Sequence, residues 1–173
     1  MKINQLILTI DRWLEQLGRF FNRIALILCV SLAGADLVVV IIEVVTRTAG
    51  STFIWTEELS RWLLVWMTFI GASVVLREKG HIRVEYFISI CPKKLGKVIN
   101  VIGEIGVLVF LYFFTILAWR VAVDALRMEG DIISLPMFYP KLGLVIGGGL
   151  MLIHQLHLLI RAILSDSLGT QNG

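Results

Sequence analysis

The sequence predicts an all-α integral membrane protein, with four transmembrane helices preceded by an N-terminal amphipathic interfacial helix. Three observations carry this. The apolar fraction is 57% and the charged fraction 17%, where soluble globular chains hold roughly 45–50% and about 25%. Mean hydropathy is +0.85, and 173 residues give room for one domain or a small set of spans, too little to hide that much apolar surface from water. The apolar residues also gather into four runs, each long enough to cross a bilayer as a helix and each bounded by charge or turn residues. A soluble enzyme, an intrinsically disordered chain and a disulfide-stapled secreted module are thereby excluded.

Residues 1–22 come first. Ile10, Trp13, Leu14, Leu17, Phe20 and Phe21 recur at three- and four-residue spacing and form one apolar helical stripe. Asp11, Arg12, Glu15 and Arg19 interrupt any unbroken apolar run, so the segment does not read as a cleaved signal peptide. With Trp and Arg present, it reads as a helix lying on the cytoplasmic membrane surface; the alternative is a cytoplasmic continuation of the first span. The spans follow at about 24–46, 59–76, 98–119 and 142–160, within a transmembrane domain of residues 23–164. The first holds Asp36 and Glu43, the second Arg61 in its first turn, the third Glu104, and the fourth no charged residue. Between the second and third, Ile82, Val84, Phe87, Ile88 and Ile90 interleave with Arg83 and Glu85, as a short interfacial segment would. Pro92 suits the first turn of a helix that enters the membrane near Val98. Residues 165–173 form a cytoplasmic tail with a frayed end.

Orientation follows from Lys and Arg in the flanks. Eleven lie on one side: Lys2, Arg12, Arg19 and Arg23, then Arg77, Lys79, Arg83, Lys93, Lys94 and Lys97, and finally Arg161. Five lie on the other: Arg47, Arg61, Arg120, Arg127 and Lys141, among the acids Glu57, Glu58, Asp124, Glu129 and Asp131. Both termini are therefore placed in the cytoplasm, and the two loops at the other end face the periplasm or cell exterior. The net charge of +3 follows this topology pattern and makes no basic stripe for nucleic acid. Cys29 and Cys91 have no CxxC or Cys/His spacing, so neither a metal site nor a redox pair is expected.

Charged groups inside spans are costly and deserve a reason. Asp36 lies 12 residues past Ile24, about 18 Å along the helix and near the midplane. It is read either as an ion or proton site or, preferably, as a structural acid at a helix–helix or subunit interface, since no second midplane charge completes a relay. Glu104 and His154 each lie six residues inside the cytoplasmic ends of their spans. At matching depth they either pair with each other or each find a separate hydroxyl or carbonyl. His154 and His157 share one helix and His81 sits in a loop, so a bis-histidine haem within this chain is disfavoured, and no cofactor or catalytic residue is expected. Gly143 and Gly147 form a GxxxG that lets another helix approach closely. Together with Ala33 and Gly34 they suggest a face for a partner, while the third helix offers Phe110, Tyr112, Phe113 and Phe114 to lipid or to a partner. At the start of the second span, Thr56 suits an N-cap. Glu57 and Glu58 suit the first turn of a helix dipole, and Arg61 stands at ion-pair spacing from Glu57. Trp55 and Trp62 suit the membrane interface.

These residues together resemble the small membrane subunit of tripartite ATP-independent periplasmic (TRAP) transporters. The resemblance rests on Phe53-Ile54-Trp55-Thr56-Glu57-Glu58, Arg61, Trp66, Gly71-Ala72, Arg77 and His81-Ile82-Arg83-Val84-Glu85. Leu135-Pro136, Tyr139 and Gly147 extend it, so that it covers about residues 20–160; Asp36 matches no position of the pattern. It implies a four-helix accessory subunit, without catalytic chemistry, in the bacterial inner membrane. Its partners would be a large TRAP membrane subunit carrying the substrate and sodium sites, a periplasmic substrate-binding protein and membrane lipids. The transported substrate would be an organic acid such as a dicarboxylate or sialic acid. Trp55, Glu57, Glu58, Arg61 and Trp62 are the candidates for docking. Two other classes stand beside this one: a membrane anchor of a respiratory enzyme, which wants histidines on facing helices, and a self-sufficient small multidrug exporter, for which Asp36 is the only support.

Overall fold

The computed structural model describes residues 2–51, 53–79 and 93–169. They form four long helices, α1 (Lys2–Thr48), α2 (Ile54–Lys79), α3 (Lys93–Asp124) and α4 (Phe138–Gly169), and one 3-10 turn at Ala125–Arg127. Four segments are long and apolar enough to cross a membrane: Gly18–Thr48 in α1, Ile54–Glu78 in α2, Val98–Arg127 in α3 with its 3-10 turn, and Phe138–Ile160 in α4. All four expected spans fall inside these, with longer ends. The expected interfacial segment at residues 82–90 and the frayed end at 171–173 lie outside the described residues, as do the side chains of the N-terminal apolar stripe up to Leu14 and at Leu17.

α1 runs for 47 residues without interruption, roughly 70 Å at helical rise and more than twice the thickness of a hydrocarbon core. Residues 2–22 are therefore joined to the first span in one helix, which is the continuation weighed against a separate interfacial element. Nothing between Arg12 and Ile24 breaks a helix: there is no proline, and Gly18 alone is tolerated. At the C-terminal end the chain likewise stays helical to Gly169, past the expected start of a tail at 165. α1 stops at Thr48 because Gly50 adopts a left-handed φ of 78°. Ser51 N–H then donates to Thr46 O (2.9 Å) and Gly50 N–H to Arg47 O (3.2 Å), which is the Schellman pattern. α2 begins at Ile54, which leaves five residues after Thr48 for the connection, so the two helices are antiparallel neighbours.

The side-chain links define the topology. Asp36–Ser60 and Cys29–Met67 run α1 against α2 in opposite directions. Trp66–Tyr139 and Arg77–His154 run α2 and α4 in the same direction. Glu104–Gln155 and the approach of Gly148 to Thr115 make α3 antiparallel to α4. The helices pack in the order α1, α2, α4, α3, with α1 touching α4 only lightly and α3 reaching α2 through the stacked Phe69–Phe114 rings. The start of α1 and the end of α4 thus lie at one end of the bundle, and the end of α1, the start of α2 and residues 125–137 at the other.

The core is thin. Ala25, Ile70 and Val74 are buried, with Cys29, Leu32, Trp66 and Leu150 packed around them. α1 and α3, at the two edges, leave large apolar side chains bare, including Ile27, Val30 and Phe110, each 65% exposed. Close approach replaces bulk at the centre. A Cβ on Gly143 would stand 3.1 Å from Trp66 Cα, and one on Gly147 only 2.6 Å from Phe69 Cβ. A Cβ on the adjacent Gly148 would meet Thr115 Oγ1 at 2.8 Å. The GxxxG that the sequence offers to a partner helix is thus consumed inside the chain, by α2. Gly34 on α1, by contrast, faces open space.

Gly147→Val should push α2 away from α4. Overpacking of this kind costs about 1–3 kcal/mol. The detergent-solubilised variant should unfold at a clearly lower temperature in a dye-based melt, while Gly34→Val should melt like the parent chain.

Candidate functional site

The loop end of the bundle holds the most specific polar construction in the molecule. Its centre is Glu58, in the first turns of α2 and only 6% exposed. One carboxylate oxygen, Oε1, accepts from Asp131 N–H at 3.1 Å. The other, Oε2, accepts from Ile132 N–H at 2.9 Å and Ile133 N–H at 2.7 Å. Three successive backbone donors of the α3–α4 connection are thus gathered on one side chain of α2. Bonds to a charged acceptor are each worth about 1.5–3 kcal/mol net, and buried N–H groups left unpaired would cost a comparable amount.

The captured segment has its own internal order. Met137 N–H donates to Met128 O (2.8 Å) and Gly130 N–H to Leu135 O (3.0 Å), closing a short hairpin from 128 to 137. Glu129 and Pro136 form its one bridge. Gly130 is required by space: a Cβ there would overlap the Glu58 carboxylate and lie 2.6 Å from Ile133 O. Trp66 adds a second link from α2, its Nε1–H donating to Tyr139 O at 3.0 Å. Pro140 falls in the first turn of α4, where its missing N–H is not needed.

The other residues singled out by sequence separate into distinct roles. Thr56 is not an N-cap. α2 begins at Ile54, so Thr56 is already inside its first turn, fully buried, and its hydroxyl donates to Phe53 O at 2.6 Å. Glu57 makes the expected ion pair with Arg61, 2.6 Å apart on an exposed face, a geometry worth about 0.3–0.5 kcal/mol. Glu58, expected on an acidic rim with Glu57, Glu129 and Asp131, is buried under the loop, while those three are exposed. Trp55 is exposed and tilts against Phe53, with ring centroids 6.2 Å apart; Trp62 is half-buried. With Ile54, Ile132 and Leu135 also bare, this end presents an apolar surface edged with acids.

Within the spans, several polar groups find partners on a neighbouring helix or on their own, while Asn22 Oδ1 and His154 Nε2 are buried without one among the described residues. Asp36 Oδ1 accepts from the Ser60 hydroxyl at 2.6 Å, binding α1 to α2. Glu43 pairs with Arg47 one turn on, at 2.9 Å. Glu104 does not face His154. Its carboxylate and its carbonyl both accept from Gln155 Nε2, because a step of one residue turns a helix by about 100°. His154, 2% exposed, instead sets Nδ1 3.4 Å from Arg77 Nη1, and Arg77 Nη2 donates to the Glu15 carbonyl at 3.3 Å. Arg77 thus ties α1, α2 and α4 together at the terminal end, as Glu58 ties α2 to the hairpin at the loop end. No group of three or more metal-ligating side chains occurs among the described residues.

The sequence has relatives among known proteins. The family model for tripartite ATP-independent periplasmic transporters, DctQ component, matches residues 36–165. The chain belongs to the DctQ family, the small permease subunits of TRAP transporters. It is a multi-pass membrane protein of a transport system. The sialic acid TRAP transporter small permease protein SiaQ of Vibrio cholerae is 26% identical over 144 residues, 83% of each chain. The C4-dicarboxylate TRAP transporter small permease protein DctQ of Vibrio cholerae is 26% identical over 109 residues, 62% of this chain and 47% of that one. The isethionate TRAP transporter permease protein DctMQ of Oleidesulfovibrio alaskensis is 23% identical over 121 residues, 66% of this chain but 18% of that longer one. In DctMQ the small-subunit portion is fused to a large permease portion, and the family implies a large permease partner for this DctQ chain as well.

Glu58→Gln in this DctQ subunit removes the charge and one acceptor oxygen from beneath the hairpin. Losing one or two charge-assisted bonds should speed amide exchange at residues 131–133 by roughly 10- to 100-fold. Hydrogen-exchange mass spectrometry reads this directly, and Glu57→Gln should leave the same amides unchanged.

Proposed function

We propose that this DctQ subunit is the accessory membrane subunit of a sodium-driven, binding-protein-dependent importer of a small organic acid. It packs on and stabilises the large permease subunit in the bacterial inner membrane, with both termini in the cytoplasm. The Glu58-held hairpin and the adjoining start of α2 lie on the periplasmic side, where they help to dock the substrate-binding protein. The observation that carries this reading is the family match across residues 36–165, joined to a fold whose polar span residues Asp36 and Glu104 are engaged in holding its own helices together. No convergent substrate site remains among the described residues of the spans, so cargo binding belongs to the partners.

Organic anions are the common chemistry of the named relatives. Sialic acid, a C4-dicarboxylate and isethionate each carry a carboxylate or a sulfonate. The exposed acids Glu57, Glu129 and Asp131 are poor groups for holding such cargo. They suit contact with basic side chains on a soluble partner, where complementary charge speeds encounter and makes it salt-dependent.

Reconstitution tests the reading. The subunit should co-elute with the large subunit in a fixed ratio. Uptake into proteoliposomes should need both subunits, the binding protein and an inward sodium gradient. Uptake by this chain alone, or equal uptake by the large subunit without it, overturns the proposal. Orientation has its own check: Ser51→Cys and Ser134→Cys should react with an impermeant thiol reagent in spheroplasts, and Gln16→Cys should react only after lysis.

A further inference from the structure

A cleft of about 360 Å³ opens sideways between α3 and α4, lined by Leu108, Val109, Tyr112, Phe113 and Leu152. Its floor is apolar and it lies within the spans. Tyr112 sits at mid-depth: it is 14 residues from Val98 and 12 from Asp124, roughly 21 Å and 18 Å along the helix axis. A tyrosine side chain is much shorter than either distance, so its hydroxyl cannot reach water or a lipid headgroup. The ring is 55% exposed and packs edge-on against Phe113, with centroids 5.6 Å apart.

The hydroxyl has no hydrogen-bond partner among the described residues. Other hydroxyls in the spans solve this problem locally. Thr46, Thr68, Ser73 and Thr115 each donate to a carbonyl three or four residues earlier in their own helix. A phenol is held too far from its own backbone to do so. Hydrocarbon offers no acceptor, and a buried Tyr O–H ordinarily has one. The aliphatic face of α1, with Ile27, Val30, Leu37 and Ile41 bare, makes no such demand, because acyl chains cover it as well as protein does.

We propose that the α3–α4 cleft is the seat of a transmembrane helix of the large permease subunit, and that this helix supplies a mid-membrane acceptor to the Tyr112 hydroxyl. The proposal rests on the accessory-subunit reading above and names the face through which it operates. Space at the site fits a helix. Gly149 is one turn before Leu152 on α4, level with Tyr112, and a Cβ there would meet nothing within 4 Å. Gly106, one turn before Val109 on α3, is equally open. Partner backbone can therefore come close beside bulky Phe110 and Phe113, the pairing of small and aromatic side chains that dense interhelical packing uses. The acceptor on the partner is a side-chain oxygen or a carbonyl freed at a helix break, since regular helical carbonyls are already engaged.

Two measurements on the co-expressed subunits test this. A photoreactive phenylalanine at Val109 or Phe113 should crosslink to the large subunit, and one at Ile27 should not. Tyr112→Phe, which removes only the oxygen, should weaken the complex roughly 3- to 15-fold, the range for one interhelical hydrogen bond in a membrane, and leave the melting temperature of the isolated small subunit unchanged. Crosslinks from Ile27 alone, crosslinks from the cleft only to lipid or to a second copy of this chain, or an unaltered complex with Tyr112→Phe overturn the inference while the accessory-subunit reading stands. Failure of the two parent subunits to co-elute overturns both.

Discussion

The bundle depends on how closely α2 can approach α4. In a bilayer, helices gain little from hiding apolar side chains, because lipid is as apolar as leucine. What holds them is dense contact and a few polar links. Gly143 and Gly147 remove the side chains that would keep the helices apart, so Trp66 and Phe69 sit directly on the α4 backbone. That proximity makes the rest possible. It brings Trp66 Nε1–H to Tyr139 O, sets Arg77 beside His154, and puts Glu58 under the hairpin that leads into α4. α1 and α3 are then carried at the edges, tied in by Asp36–Ser60 and Glu104–Gln155.

The polar links also explain why charged and amide groups are tolerated in these spans. Burying a polar group without a partner costs about 1–3 kcal/mol in proteins, and each link offsets that by joining two helices. The pair α2–α4 is consequently fixed at both ends, by a carboxylate that gathers three backbone donors and by a guanidinium that touches two further helices. A part built this way behaves as a frame. In the accessory role proposed above, such a frame would present one face laterally to the large subunit and one end to the binding protein.

Much of the fold was legible in the sequence, for a physical reason: apolar run length and flanking charge respond directly to the bilayer. The four spans fall where hydropathy puts them, and the Glu57–Arg61 pair follows from helical spacing. Less local features were hidden. That Gly143 and Gly147 would meet α2 of the same chain rather than a partner depends on which faces come together, which periodicity does not specify. Glu58 reads in sequence as an acid favoured by the helix dipole; its donors lie 73–75 residues away, in a segment whose turn residues Gly130, Asp131, Ser134 and Pro136 do not say what holds it. Matching depth allows Glu104 either to pair with His154 or to find a separate partner; depth is shared by several residues on a helix, and rotation about the axis selects Gln155. Tyr112 stands in the sequence only as one aromatic in a run, and that its hydroxyl lacks a partner among the described residues needs coordinates to be seen.

Tied by Glu58 and Trp66, α2 and the α3–α4 hairpin are expected to move as one rigid frame. Spin labels at Arg61→Cys and Ser134→Cys, placed in the assembled transporter, measure it through pulsed dipolar spectroscopy. One narrow distance distribution is expected, unaltered by sodium or by substrate-loaded binding protein. A second population, or a shift of the peak on adding either, would contradict it.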